Sequence, residues 1–289
     1  MKHILITGCS SGFGLMAAKH LAKKGHHIYA TMRNVNGKNA DKASELKNYA
    51  SSNNLNIEVV EIDVTSDESV GKGVSQIGQV DVLINNAGCG YGGPIESFSS
   101  QQFLDQLDLN IVGTFRVAKA VLPKMRAQND GLIIQVTSVA GRFCLPGYGL
   151  YHTSKWGLEC LSETMRYELS PLGIDTVIVQ PGPFSTDFIN GIISSEDEEI
   201  AKAYQHINDF GEGLISQISS IYEDPNADPM LVVKTFENLI DMPHGKRPIR
   251  TVVGIDFGLQ TVNEVTEPIR QGLLEAFEIT DWDGPKVKN

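Results

Sequence analysis

The chain has 289 residues, 41% of them hydrophobic and 20% charged, and a formal net charge of −11. That length allows one large domain or two small ones with a sizeable core, and that composition excludes wholesale disorder. The negative balance argues against nonspecific nucleic-acid binding, because backbone phosphates would be repelled, though it leaves room for a local basic pocket.

The opening MKHILITG leads straight into an apolar run, which leaves no room for a signal peptide. Runs rich in β-branched residues then recur at 3–7, 27–32, 57–62, 81–85, 132–137, 175–180 and, more weakly, 250–254. Near-continuous apolar strands of this kind suit a parallel sheet covered on both faces. Amphipathic stretches near 13–24, 39–52, 67–77, 100–127, 152–170 and 228–241 alternate with them. The alternation predicts a doubly wound α/β fold, and with no repeat or linker in view it predicts a single domain. Gly25 marks a helix end, and Thr65 or Ser66 is placed to cap the helix that follows the third strand. Residues 183–227 break the rhythm after the sixth strand. A long segment outside the sheet is expected to be a binding element, here a partly helical substrate lid. No apolar run approaches the length of a bilayer span. The four cysteines (Cys9, Cys89, Cys144 and Cys160) form no CxxC pair, and free thiols fit a reducing cytoplasm.

The first strand ends in Thr7-Gly8-Cys9-Ser10-Ser11-Gly12-Phe13-Gly14, and a helix follows. Glycines permit a tight turn and a close approach to a pyrophosphate, and the helix N-terminus supplies N–H groups for the anion. A strand-to-helix turn without a ligand uses glycines too, so the loop gains force from its position. Its spacing, G-x-x-x-G-x-G, resembles the TGxxxGxG loop of the short-chain dehydrogenase/reductase family. The resemblance implies a Rossmann-type domain that binds NAD or NADP.

The end of the second strand discriminates between the two cofactors. An acidic residue there would hold a ribose 2′-hydroxyl. The segment reads Ala30-Thr31-Met32-Arg33-Asn34, with no carboxylate and with Arg33 nineteen positions after Gly14. A guanidinium suits a 2′-phosphate, which favours NADP(H). Three further pieces resemble the family's cofactor contacts: Asp63-Val64 after the third strand, Asn85-Asn86-Ala87-Gly88 after the fourth, and Pro181-Gly182 with Thr186 after the sixth. By the resemblance they serve the adenine, the adenosine side and the nicotinamide carboxamide. Asp63 on its own also reads as a helix cap, and Asn85 as structural.

Tyr151-His152-Thr153-Ser154-Lys155 opens a predicted helix, and residues i and i+4 share a face. An ammonium beside a phenol is expected to lower its pKa and suit it to proton transfer. Ser138, at the end of the fifth strand, is placed to hydrogen-bond a substrate carbonyl. Asn110 stands inside the predicted helix 100–127, an unfavourable place that calls for a reason. In the resembling family these positions form a tetrad of Asn110, Ser138, Tyr151 and Lys155. There the asparagine backbone holds a water and the lysine also binds the nicotinamide ribose, while Tyr151 flanks the same cofactor. His152 is expected to flank the site from the far side of its helix, with no role in the chemistry.

YATMRN, the lid and KRPIRTVVGID resemble the hydroxysteroid and retinol dehydrogenase branch of the family. Phe143, Leu145, Pro146, Phe184, Phe188, Ile192 and Ile193 then form an apolar pocket wall, although each also reads as core or interface. The function expected is hydride transfer between NADP(H) and an apolar carbonyl or secondary alcohol, without a metal. The alternative is a cofactor-binding regulator that keeps the fold without the chemistry. The family also implies a homodimer or homotetramer, built through the helices near 100–127 and 152–170.

Overall fold

The computed structural model describes residues 1–286. The first half runs β1 (His3–Ile6), α1 (Gly12–Lys23), β2 (His27–Met32), α2 (Ala40–Ser52), β3 (Ile57–Glu61), α3 (Asp67–Gln76) and β4 (Val82–Asn85). A two-residue strand β5 (Tyr91–Gly92) precedes α4 (Ser100–Leu107), α5 (Gly113–Gln128), β6 (Gly131–Val136), α6 (Gly149–Leu169) and β7 (Ile174–Pro181). The remainder holds β8 (Ile193–Ser194), α7 (Glu198–Ala203), α8 (Gln205–Ile221), α9 (Met230–Asp241), β9 (Arg250–Val253) and α10 (Leu259–Ala276).

Seven strands form one parallel sheet in the order β3-β2-β1-β4-β6-β7-β9. Side chains alternate across a strand, so each central strand feeds two cores. Ile4, Ile6, Val82, Ile84, Ile134 and Val179 face α1, α2 and α9. Leu5, Leu83, Ile133 and Ile174 face α3, α5 and α6. Burial on both faces explains why these strands are continuous apolar runs. The result is a single Rossmann-type domain, doubly wound about the β1–β4 boundary where the order reverses, and the crevice at the strands' C-terminal ends opens there.

The predicted elements lie within a few residues of the observed ones, with three differences. The stretch 100–127 is not one helix: a π-helical turn, Asp108–Val112, separates α4 from α5 and carries Asn110. The segment 183–227 does contain helices, and it also pairs β8 with β5 in a small parallel ribbon. Helix α10 was not anticipated, since its apolar residues Val265, Ile269 and Leu273 point outward and Pro268, a helix breaker by sequence, lies inside it. No helix among the described residues is long and apolar enough to cross a membrane.

A charged cluster closes the far edge of the sheet. Asp175 on β7 is fully buried and receives Arg166 Nη1 of α6 at 2.8 Å and Arg247 Nη1 at 3.3 Å. Asp283 in turn takes Arg166 Nε and Arg270 Nη2, each at 2.7 Å, which fastens the C-terminal segment to α6 and α10. Removing one partner of a buried pair leaves the other charge uncompensated. Asp175→Ala is therefore expected to lower the unfolding free energy by about 3–5 kcal/mol, read from the midpoint of urea denaturation.

Candidate active site

The glycine loop is shaped by backbone geometry before any side chain matters. Gly8 has φ +73°, a left-handed conformation that a side chain would strain. A Cβ on Gly14 would lie 2.4 Å from Gly8 O, so the first turn of α1 can fold back on the loop only as glycine. Ser11 precedes α1 in extended conformation, and no side chain caps the helix. Its first N–H groups and its positive dipole end therefore face the crevice with Ser10, Gly12 and Phe13. Phe13 packs edge-on against Phe184, with ring centres 5.5 Å apart.

Strand β4 braces this loop. Asn86 N–H and Ala87 N–H both donate to Thr7 Oγ1 at 2.9 Å, and Asn86 Nδ2 donates to Thr7 O at 2.9 Å. Asn85 Nδ2 reaches Thr114 O at 3.3 Å, within the protein interior. Asp63 Oδ1 accepts both the N–H (3.0 Å) and the hydroxyl (2.7 Å) of Thr65, while Ser66 rather than Thr65 caps α3. Val64 is buried against Gly113. Gly88 lies beside the Asn110 side chain, and Pro181, Gly182 and Thr186 border the crevice from the end of β7.

The expected cofactor residues other than Gly14 line one cavity of about 1010 Å³, and Asn85 stays in the core beneath it. Arg33 is exposed at its rim, and the next turn brings Lys38 to the same end. Lys38 was missed in the sequence because it lies beyond the strand end. Asn39 Nδ2 donates to Arg33 O at 2.7 Å and closes that turn. The uncapped helix end, the glycine cradle and the two cations fit a phosphorylated dinucleotide.

The other half of the cavity holds Ser138, Tyr151 and Lys155. Tyr151 and Lys155 are one turn apart on α6, with Nζ 5.8 Å from the phenol ring centre. Lys155 Nζ donates to Val136 O at 3.0 Å. Ser138 Oγ accepts the Ala140 N–H at 3.1 Å and donates weakly to Pro181 O at 3.4 Å. The expected lowering of the phenol's pKa does not occur in this geometry. Burial pushes Tyr151 up to about 12 against the opposing hydrogen bond with Ser138. Burial also brings Lys155 down to about 8, against the favourable field of Cys89 and Glu159.

Asn110 joins the site through its side chain. Its Nδ2 donates to Cys89 O and to Ser154 Oγ, both at 2.9 Å, and its Oδ1 accepts the Cys89 N–H at 3.1 Å. Its carbonyl accepts the Thr114 hydroxyl at 3.0 Å. His152 is not on the far side of its helix: it bonds the loop that leads from Ser138, through Ala140 O and Leu145 N–H. Of the predicted wall residues, Phe143, Leu145, Phe184, Phe188, Ile192 and Ile193 line the cavity. Pro146 lines a smaller neighbouring cavity instead. Tyr148, Phe257 and the α8 residues Leu214, Ile215 and Ile218 complete the wall.

A doubly wound sheet with a glycine loop and a Tyr-Lys helix beside it defines a nicotinamide-binding oxidoreductase fold. The short chain dehydrogenase family model matches residues 2–197, and the chain belongs to that family of oxidoreductases, which act on CH–OH groups. It is 35% identical over 225 residues to 3-ketodihydrosphingosine reductase of Bacteroides thetaiotaomicron, covering 76% of each chain. It is 30% identical over 245 residues to human 17-beta-hydroxysteroid dehydrogenase type 1, covering 83% of this chain and 74% of the relative. Among solved structures, ElxO with NADP bound superposes with a TM-score of 0.71 at 27% identity, covering 90% of this chain and all of the other.

The buried lysine makes stability depend on pH. Lys155 titrates at about 8 when folded and at 10.5 in the unfolded reference. Between those values the unfolded chain holds the extra proton, so the lysine's contribution to stability rises with pH. In urea titrations at a series of pH values, wild type should gain stability relative to Lys155→Met across that window. Below it, the difference between the two should be flat.

Proposed function

We propose that this protein transfers hydride between NADP(H) and an apolar ketone, aldehyde or secondary alcohol, with Tyr151 as the proton donor and acceptor. The observation that carries this reading is the Tyr151 phenol one helical turn from the Lys155 ammonium, with Ser138 lining the same cavity and an apolar far wall. When bound, the nicotinamide supplies or receives the hydride. In reduction, Tyr151 Oη donates its proton to the substrate oxygen, and Ser138 Oγ donates a second hydrogen bond to that oxygen as charge builds on it. A phenol held near pKa 12 is fully protonated at neutral pH, which suits this direction. The phenolate left behind is favoured by the ammonium of Lys155, which stays mostly charged at pH 7. Asn110 fixes the Cys89 segment and, through Ser154, the first turns of α6.

Arg33 and Lys38 favour NADP(H), since both can pair with a 2′-phosphate and no carboxylate stands at the end of β2 to repel it. Asp63, Val64, Asn86, Ala87 and Gly88 would serve the adenosine side, and Pro181, Gly182 and Thr186 the nicotinamide side. Residues 183–227 act as the substrate lid, with Leu214, Ile215 and Ile218 facing the cavity. Exposed Leu104, Phe115 and Trp156 on α4, α5 and α6 support a homodimer or homotetramer. The four free thiols suit a cytoplasmic setting.

Two measurements test the reading. With a panel of apolar carbonyl compounds and NADPH, followed at the nicotinamide absorbance, Tyr151→Phe should lower kcat about 10²–10⁴-fold while the Kd for NADPH stays near wild type. Unchanged turnover would remove Tyr151 as the acid. Arg33→Ala should raise the KM for NADPH about tenfold, the scale of one charge-assisted hydrogen bond, and leave that for NADH unchanged. A wild-type preference for NADH in kcat/KM would overturn the cofactor assignment.

A further inference from the structure

One buried titratable side chain at the site takes no part in the proton transfer. His152 follows Tyr151 on α6 and is only 4% exposed. Its Nε2 lies 3.1 Å from the Leu145 nitrogen and its Nδ1 2.9 Å from Ala140 O. A backbone N–H only donates, so Nε2 must be unprotonated; a carbonyl only accepts, so Nδ1 must carry the hydrogen. The two bonds together select one neutral tautomer. Burial, the largest influence, lowers the pKa of His152 below its ordinary value, which agrees with a neutral ring.

The geometry of the loop gives this imidazole a task. Residues 140–145 connect the strand end that carries Ser138 to the approach to α6, and His152 bonds both ends of that span. Phe143 stands between them, its ring centre 5.9 Å from the imidazole and 6.0 Å from Phe257. On the outside, Arg142 Nη2 donates to Thr266 Oγ1 of α10 at 3.1 Å. Phe143 and Leu145 both face the cavity. Beyond a single 3₁₀ turn, Val139–Gly141, the loop has no regular structure of its own, so these side-chain bonds, with a weak one from Trp156 Nε1 to Phe143 O at 3.4 Å, set where its two apolar residues stand.

We propose that His152 is a positioning residue for substrate selection, whose imidazole holds the Phe143–Leu145 wall against the part of the substrate remote from its carbonyl. The inference rests on the carbonyl-substrate reading above. It separates two regions of one site: Tyr151, on the same helix, meets the reacting oxygen, while His152 acts through the wall that meets the remainder.

Two ketones separate those regions: 2-decalone is large enough to reach the wall, and propanone is not. His152→Phe keeps a ring of similar size and loses both polar atoms, whereas His152→Gln restores a donor and an acceptor. In His152→Phe the Leu145 amide should exchange with solvent about tenfold faster, and the KM for 2-decalone should rise about tenfold, the scale of a lost buried hydrogen bond. The KM values for propanone and NADPH should stay within about twofold of wild type, because uniform binding is lost only where the wall touches. His152→Gln should recover both the slow exchange and the low KM. The proposal is overturned if the two ketones shift together, if Leu145 exchange is unchanged, or if His152→Gln fails to restore what His152→Phe loses. Should wild type reduce neither ketone, the carbonyl reading fails by itself. The Kd of 2-decalone by equilibrium dialysis then decides for the wall, and equal affinity in wild type and His152→Phe overturns it.

Discussion

The carboxylate of Glu159 joins α6 to β7, β9 and the residue that follows β6 at once. It is 3% exposed. Its Oε1 accepts Thr137 Oγ1 at 2.7 Å and Gln180 Nε2 at 2.9 Å, and its Oε2 accepts Arg250 Nε at 2.9 Å. Thr137 immediately precedes Ser138, Gln180 immediately precedes Pro181, and Arg250 begins β9. Glu159 lies one turn beyond Lys155 and two beyond Tyr151, so the helix cannot rotate without breaking these bonds. A Cβ on Gly141 would stand 2.9 Å from Glu159 Cγ, which explains glycine where the active-site loop passes over this junction. Gln180 extends the set by accepting Asn263 Nδ2 of α10 at 2.7 Å. The register between Ser138 and Lys155 thus depends on residues distant from either.

The same burial that fixes these groups tunes them. Burial raises the phenol and lowers the amine, so both shifts favour neutral forms. The two nevertheless leave a protonated acid beside a mostly protonated ammonium at pH 7, the pairing a reduction needs. The π-helical turn at Asp108–Val112 contributes a different constraint. Such turns place a side chain where regular α-helix would not, and here Asn110 reaches both Cys89 and Ser154. Gln106, one turn earlier, donates to Cys89 O at 3.1 Å and accepts the Tyr91 N–H at 2.9 Å. The chain that leaves β4 is therefore strapped to α4 and the π turn before it enters the β5–β8 ribbon.

Much of this was legible in the sequence because the signals were local. The central sheet strands stand out as apolar, β-branched runs since both their faces are buried, while β3 and β9 at the edges are only partly covered and β9 gives a weaker signal. The glycine loop and the Tyr151–Lys155 spacing report backbone strain and helix period within a few residues of themselves. What stayed hidden depends on partners far along the chain. His152 reads as a flank because its partners are two backbone groups of a loop, and a sequence shows no acceptor or donor for it. The asparagine in LDLNIVGT flagged an oddity at Asn110, but its resolution as a π turn needs Cys89 and Ser154, 21 and 44 positions away. Helix α10 gives no clear signal because most of its apolar residues face outward and only Leu259 and Leu274 are buried, against the pattern of a helix packed on a sheet. Glu159 carries no signal of its role, as nothing near it in sequence announces Arg250.

The segment after β7 is held unevenly, and that unevenness bears on what the site can accept. Near the reacting groups, the Ile193 N–H donates to Gly90 O at 2.9 Å, and Gln102 bonds both Ser194 O and the Glu196 N–H. Those bonds seat Phe188 against Tyr151, with ring centres 5.3 Å apart. Farther out, α8 has no buried residue, although Leu214, Ile215 and Ile218 look into the cavity. An apolar helix face left in contact with solvent gains stability when something apolar covers it, at about 25 cal/mol per Å² removed from water. A substrate that fills this end would supply that cover. On the proposed reading, a small one would reach Tyr151 without it, and so would forgo the binding energy that the outer wall offers.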